Sequence, residues 1–215
     1  MKWGMSLMID WIFLDKNICY NCKKNEIVAH YLCKDCLKKL DYVANNFMVD
    51  DIDAHAVYFY NETMKKLIAD YKFNRNTSLS KVFASIIFDY AKVHNLFNVD
   101  YILPSPSSKE TIKSRGFDHI KMICDYFIDG INPSYLDSFT KNINTKAQHK
   151  LAKEERAYNL KGAFTFGGDL AGKSVLIIDD LITTGSTIKE ISRILKNANV
   201  KEVTALAITS EHRLN

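Results

Sequence analysis

Nowhere in its 215 residues does the chain approach the run of about 20 apolar residues that a membrane span needs. The longest N-terminal candidate, 7–14, is broken by Asp10 and has no small-residue cleavage site after it, so a secretory leader is not expected. Residues 1–16 should pack on the main body as an amphipathic piece, or fray. Prolines are scarce: three, at 104, 106 and 133, all in inferred loops. There is no internal repeat and no low-complexity tract. Neither a Walker phosphate loop nor a dinucleotide fingerprint is read in the chain. The net charge of +4 is too small to establish a nucleic-acid partner, but it suits an anionic ligand. What is present is core-forming: 47% hydrophobic and 12% aromatic residues argue against disorder. The length allows one medium domain and a small module. A cytoplasmic protein with reduced thiols is the default expectation.

The most informative stretch is 175–187. Four aliphatic residues, Val175 to Ile178, run into Asp179 and Asp180. A hydroxyl-rich loop follows (Thr183, Thr184, Gly185, Ser186, Thr187), and then apolar residues at helical spacing. The order is buried strand, tight loop, helix N-terminus. Free backbone N–H groups and the positive dipole end of a helix suit a phosphate. Hydroxyls add donors, and Gly185 lets the backbone approach closely. Carboxylates repel phosphate but accept hydrogen bonds from sugar hydroxyls. The segment therefore offers a phosphate cradle beside a diol receptor, the two parts of a ribose 5-phosphate site. It resembles the phosphoribosyl pyrophosphate (PRPP) signature of type I phosphoribosyltransferases. That resemblance gives the ribose hydroxyls to Asp179 and Asp180, the catalytic candidates. It gives the 5-phosphate to Thr183, Thr184, Gly185, Ser186 and Thr187.

Near the N-terminus, Cys19-x-x-Cys22 and Cys33-x-x-Cys36 are separated by ten residues. Four thiolates close a tetrahedral shell, the geometry of structural zinc. Alternatives are a dithiol redox pair or four unrelated thiols. A redox C-x-x-C comes singly beside a βαβ pattern, so zinc is favoured. A closed four-thiolate shell leaves no open position, which makes the metal structural. Lys23, Lys24, Lys34, Lys38 and Lys39 would partly offset its charge. His30 reads as a surface residue and Cys124 as a buried core thiol. Residues 41–55 turn acidic without clear period and read as a connection.

From 56 onward, short apolar runs alternate with helical stretches. Strands are expected over 56–60, 101–103, 136–139, 163–166, 174–179 and 203–209. Helices are expected over 62–73, 79–94, 111–128, 147–158 and from 187. That alternation indicates an α/β fold with a mainly parallel sheet and ligands at the carboxyl ends of its strands. The division is an extension (1–18), the zinc-binding module (19–40), the connection (41–55) and a phosphoribosyltransferase-like domain (56–215).

A pyrophosphate needs cations. Ser105 and Lys109 follow an expected strand end, and Arg115, followed by Gly-Phe, is a plausible anion contact. Lys113 reads as part of a solvated face. Residues 145–164 form a charged segment able to close over a bound anion. In order, the C-x-x-C pairs, Tyr71-Lys72-Phe73, Pro104-x-Pro106, Arg115-Gly-Phe117, Thr145-x-x-Gln148, Glu155-Arg156-x-x-Asn159 and the acid-loop segment resemble the ComF family of competence proteins. The resemblance covers about residues 19–210. It implies a phosphoribosyltransferase fold behind a four-cysteine zinc module, PRPP with magnesium, and a role in natural transformation. Single-stranded DNA and DNA-uptake or recombination proteins are the implied partners. It also makes Gln148, Arg156 and Asn159 pocket candidates. The chain departs from the family in having Asp118-His119 after Arg-Gly-Phe and Ile143 at a commonly basic position, although Lys141 remains. Turnover of PRPP, as against binding alone, stays open, as do a nucleotide-metabolism transferase and a PRPP-sensing regulator. Tyr58, Phe59, Tyr60, Tyr71 and Phe73 either stack bases or fill the core; their periodicity favours the core.

Overall fold

The computed structural model describes residues 17–141 and 162–212. A short helix, α1 (Lys34–Leu37), follows the second cysteine pair. Then come strands β1 (Tyr42–Val49) and β2 (Ile52–Phe59), and helices α2 (Glu62–Phe73) and α3 (Leu79–Val93). Strand β3 (Tyr101–Pro104) leads to α4 (Lys109–Arg115) and α5 (His119–Cys124). Short strands β4 (Ser134–Tyr135), β5 (Phe139–Lys141) and β6 (Phe164–Phe166) follow. The chain then forms β7 (Ser174–Ile182), α6 (Ser186–Asn197) and β8 (Glu202–Ser210).

Six strands form one sheet in the order β1-β2-β8-β7-β3-β4, while β5 and β6 pair as a separate antiparallel ribbon. β2, β8, β7, β3 and β4 run parallel; β1 alone pairs antiparallel, with β2. The period of two in β7 explains the layers. Leu176 and Ile178 pack with α2, α3 and α5 on one face; Val175 and Ile177 pack with Ile188, Ile191 and Leu195 of α6 on the other. Covering both faces is what permits a parallel sheet built from near-continuous apolar runs. The cysteine module is not a separate body: Cys19, Tyr20, Leu32, Cys33, Cys36 and Leu40 share one apolar cluster with α2 and α3. His30 bonds Ser85 of α3 at 3.0 Å, so it docks the module rather than standing on open surface.

Several expectations need correction. The stretch 41–55 is not a bare connection; it carries β1 and the start of β2. The single helix expected over 111–128 is divided, because Gly116 takes a left-handed conformation (φ 92°) and Asp118 starts α5 by accepting from the Lys121 N–H. No strand spans 136–139; β4 ends before it and β5 begins at Phe139. The string Gly167 to Ser174 does fit the spacing of a Walker loop, but Ser174 opens a strand, not a helix, and Lys173 pairs with Asp100 at 3.0 Å. Without a following helix N-terminus the spacing carries no phosphate site. The expected helix over 147–158 lies outside the described residues.

Candidate functional site

The carboxyl ends of β2, β3, β7 and β8 open on one cleft of ≈ 1150 Å³. Its walls include Tyr60 after β2, Ser105 to Ser108 after β3, Asp179, Asp180, Thr183 and Thr187 from β7 and its loop, and Glu211 after β8. Parallel strands end on the same side, so loops far apart in sequence meet there. The cleft is somewhat larger than the roughly 1,000 Å³ upper bound for ordinary small-molecule pockets.

Asp179 and Asp180 lie within β7, which continues to Ile182, and both are buried. Two adjacent acids cannot both hold a charge cheaply in such a place. Burial and the neighbouring Asp180 charge push the Asp179 carboxyl up to about 8. Burial also opposes ionisation of Asp180, but the Lys72 ammonium outweighs it and holds that carboxyl well below the usual range. Lys72, in the last turn of α2, contacts Asp180 Oδ2 directly. His119 Nε2 lies 3.7 Å from the other oxygen, and His119 Nδ1 is 3.2 Å from Ser107 Oγ. Burial, and then Lys72, lower His119 to about 4, so the ring is neutral at pH 7. The Tyr71 hydroxyl donates to the His119 carbonyl at 2.7 Å and fixes the start of α5.

The loop after β7 is held from below and behind. Gly185 is the N-cap of α6 with φ 72°, and the Thr184 and Ser186 hydroxyls bond each other at 2.6 Å. His212 Nε2 donates to the Thr183 carbonyl at 2.8 Å while its ring stacks on Phe47. Residues 181–188 and Asp179 surround a second, small niche of ≈ 20 Å³ at this loop. That is room for about one water-sized group.

Cations face the acids from three directions. Lys72 comes from α2, Arg115 from the end of α4, and Lys141 from the end of β5. Arg115 is half-buried, and its Nη1 is buried without a hydrogen-bond partner among the described residues. A buried donor of that kind is rare without a ligand or water to satisfy it. Burial pulls Lys141 below its ordinary value, against the opposing influence of Asp179.

The four cysteines form a second constellation. Their Sγ atoms all lie within 4.8 Å of one another; three are buried and Cys22 is half-buried. Zinc–thiolate bonds of about 2.3 Å imply a tetrahedral edge of about 3.8 Å. The Cys22–Cys33 separation is 3.7 Å. Burial and its thiol neighbours push Cys36 up to about 12, so four thiolates would need a cation among them. Asn21 Nδ2 donates to Cys36 Sγ at 3.4 Å, the outer support typical of thiolate sites. The cluster could therefore hold a metal such as zinc.

Residues 122–213 match the phosphoribosyl transferase domain family. Competence protein ComFC of Streptococcus pneumoniae is 27% identical over 190 residues, covering 88% of this chain and 79% of that one. Competence protein F of Haemophilus influenzae is 26% identical over 200 residues, covering 86% and 87%. The DNA utilization protein YhgH of Escherichia coli (strain K12) is 27% identical over 186 residues, covering 84% and 78%. Among solved structures, a hypoxanthine phosphoribosyltransferase from Staphylococcus aureus aligns with 63% of this chain and 70% of its own, at 15% identity and a TM-score of 0.36.

Over most of its length the chain is similar to competence proteins of the ComF family. Its sheet is the α/β, mostly parallel arrangement of a phosphoribosyltransferase domain, with the four-cysteine cluster ahead of it. In this chain the cleft is assembled from residues inside the matched segment and residues upstream of it. Asp179, Asp180 and Thr183 to Thr187 lie within it; Lys72, Ser105 to Ser108, Arg115 and His119 lie upstream.

Of the residues expected from sequence, Ser105, Arg115, Asp179, Asp180, Thr183 and Thr187 line the main cleft. Thr184, Gly185 and Ser186 line the adjoining niche. Lys109 is exposed and is not among the lining residues, and Lys113 is exposed, as its solvated reading required. Gln148, Arg156 and Asn159 lie outside the described residues. Cys124 is fully buried. Tyr58 and Tyr71 fill the core, whereas Phe73 is 62% exposed and lines the cleft. Sequence reasoning did not single out Lys72, His119 or Lys141 as pocket groups by their chemistry. Lys72 and His119 were visible only as members of short motifs, and a lysine near a helix end otherwise reads as solvated.

Proposed function

We propose that this ComF-like protein binds PRPP in the cleft and acts in the handling of incoming single-stranded DNA during natural transformation, on the cytoplasmic side. The observation that supports this best is the joining of the Asp179–Asp180 pair, the capped Thr183–Thr187 loop and the upstream cations in one cleft. The acids would accept the ribose hydroxyls. The loop and the N-terminus of α6 would take the 5-phosphate. Ser105, Ser107 and Arg115 would take the pyrophosphate, with the orphaned Arg115 Nη1 as one donor. Lys109, exposed at the start of α4, would reach the pyrophosphate only from the rim. Arg156 and Asn159 are proposed for the same anion from the charged segment.

Magnesium fits this donor set, since hard divalent ions prefer oxygen ligands. It would be held chiefly by the ligand's own oxygens, beside Asp179 and Asp180. Bound there, it would neutralise charge developing on the pyrophosphate. The chain's own residues orient the ribose, keep Asp180 ionised through Lys72, and present Arg115 and Lys141 to the departing anion. If PRPP is turned over, the C1–pyrophosphate bond breaks as an acceptor bonds to C1. The names of the relatives supply the competence and DNA-utilization context.

Titration calorimetry with PRPP and magnesium tests the site. Asp179→Ala/Asp180→Ala should weaken binding sharply, and equal affinity for variant and parent would refute the assignment. Pyrophosphate release measured across bases, nucleotides and oligonucleotides separates a transferase from a sensor.

A further inference from the structure

Lys72 occupies an unusual place. Its ammonium sits on Asp180 with the side chain only 19% exposed, on the inner wall of the cleft. It comes from α2, far upstream of the segment that matches the phosphoribosyl transferase domain. The His119 ring bridges from Asp180 (3.7 Å) to Ser107 (3.2 Å). One imidazole therefore spans the gap between the acid pair and the loop after β3. The ammonium, held on Asp180, lines the same cleft as Ser105 to Ser108 and Arg115, where a pyrophosphate would lie.

A lysine ammonium has three donors and no acceptor. Contact with one carboxylate oxygen leaves donors over. It is also a compact charge on a flexible stem, able to hold one anion while reaching a second. We propose that Lys72 is a binding residue of the cleft that couples the two ends of its ligand: it stays paired with Asp180, which takes the diol, and gives its remaining donors to an anionic group carried on the neighbouring ribose carbon. The ligand class this selects is a ribose bearing a vicinal diol and a 1-pyrophosphate, in preference to the same sugar without the anion. The inference rests on the PRPP reading of the cleft and adds a discriminating residue to it.

The test compares PRPP with ribose 5-phosphate by calorimetry on the full chain: parent, Lys72→Met and Lys72→Arg. Lys72→Met should weaken PRPP by about tenfold or more, the scale of a lost charge-assisted contact. Ribose 5-phosphate, which lacks the 1-pyrophosphate, should change by less than about threefold on the same scale. Lys72→Arg should restore part of the PRPP affinity. Removing Lys72 strands a buried Asp180 charge and could unfold the chain. Lys72→Met is therefore repeated in an Asp180→Asn background, where the selective loss of PRPP should persist relative to Asp180→Asn alone. Equal losses for both ligands, or none, would make Lys72 a structural ion pair and overturn the inference while leaving the PRPP reading standing. A parent protein that binds neither ligand would overturn both.

Discussion

Gly185 rests directly against Val49. A Cβ at Gly185 would come within 2.5 Å of Val49 Cγ1, and the backbone there already has φ 72°. Val49 ends β1, so the edge hairpin forms the floor of the loop after β7. Gly185→Ala should therefore cost about 1–3 kcal/mol of stability, from the left-handed backbone and the clash together. Val49→Ala in the same chain should recover part of that, with a coupling of about 0.5–3 kcal/mol in a double-mutant cycle of denaturant unfolding. Additive losses would mean that the contact does not constrain the loop.

That contact also marks where the sequence was hard to read. α2 and α3 were legible through a sustained helical period, and β7 and β8 through near-continuous apolar runs, each buried in a strong cluster. The hairpin was not, because β1 is an edge strand with Asn45 and Asn46 inside it and an irregular register between Tyr42 and Asn45. A broken alternation with acids at 50, 51 and 53 imitates a linker. At the site, the acids and the hydroxyl loop were visible since they are contiguous. The roles of Lys72 and His119 were not, since they arise only when α2 and α5 meet Asp180 in space. The Walker spacing at 167–174 shows the converse, a complete string set between two strands.

Asp179 should make stability depend on pH. Its carboxyl is raised from 3.8 to about 8, chiefly by burial, so between those values the folded chain holds a proton that the unfolded chain has released. Stability then falls as pH rises through that window, and the full cost is present above about 8. Asp179→Asn removes the cost. The melting temperature of the variant should match the parent near pH 4 and exceed it increasingly toward pH 8, by the equivalent of a few kcal/mol. A difference independent of pH would show that Asp179 is ionised in the folded protein.

The cysteine cluster should carry about one zinc per chain, measured by elemental analysis of untagged protein. Because Cys33 and Cys36 share a core with α2 and α3, metal removal should not be silent for the main domain. Cys33→Ser should drop the metal content to near zero and lower the melting temperature of the whole chain, as expected when metal affinity is coupled to folding. Metal-free parent protein would remove the zinc assignment.

Lys23, Lys24, Lys34, Lys38 and Lys39 are all exposed around the cluster, and Tyr31 beside them is 39% exposed. Docked on α3 through His30, they present a fixed basic face. If single-stranded DNA is a direct partner, its phosphates should meet that face, and binding should weaken as counterions compete. The slope of log K against log salt should become shallower by about 0.7 for each phosphate contact removed. Lys38→Gln/Lys39→Gln should therefore flatten it by about 1.4 if both lysines touch phosphate, while leaving PRPP affinity unchanged. Fluorescence anisotropy with a labelled oligonucleotide across a salt series measures the slope. A slope that stays the same in the variant would place the DNA elsewhere, and no binding even at low ionic strength would argue against direct contact.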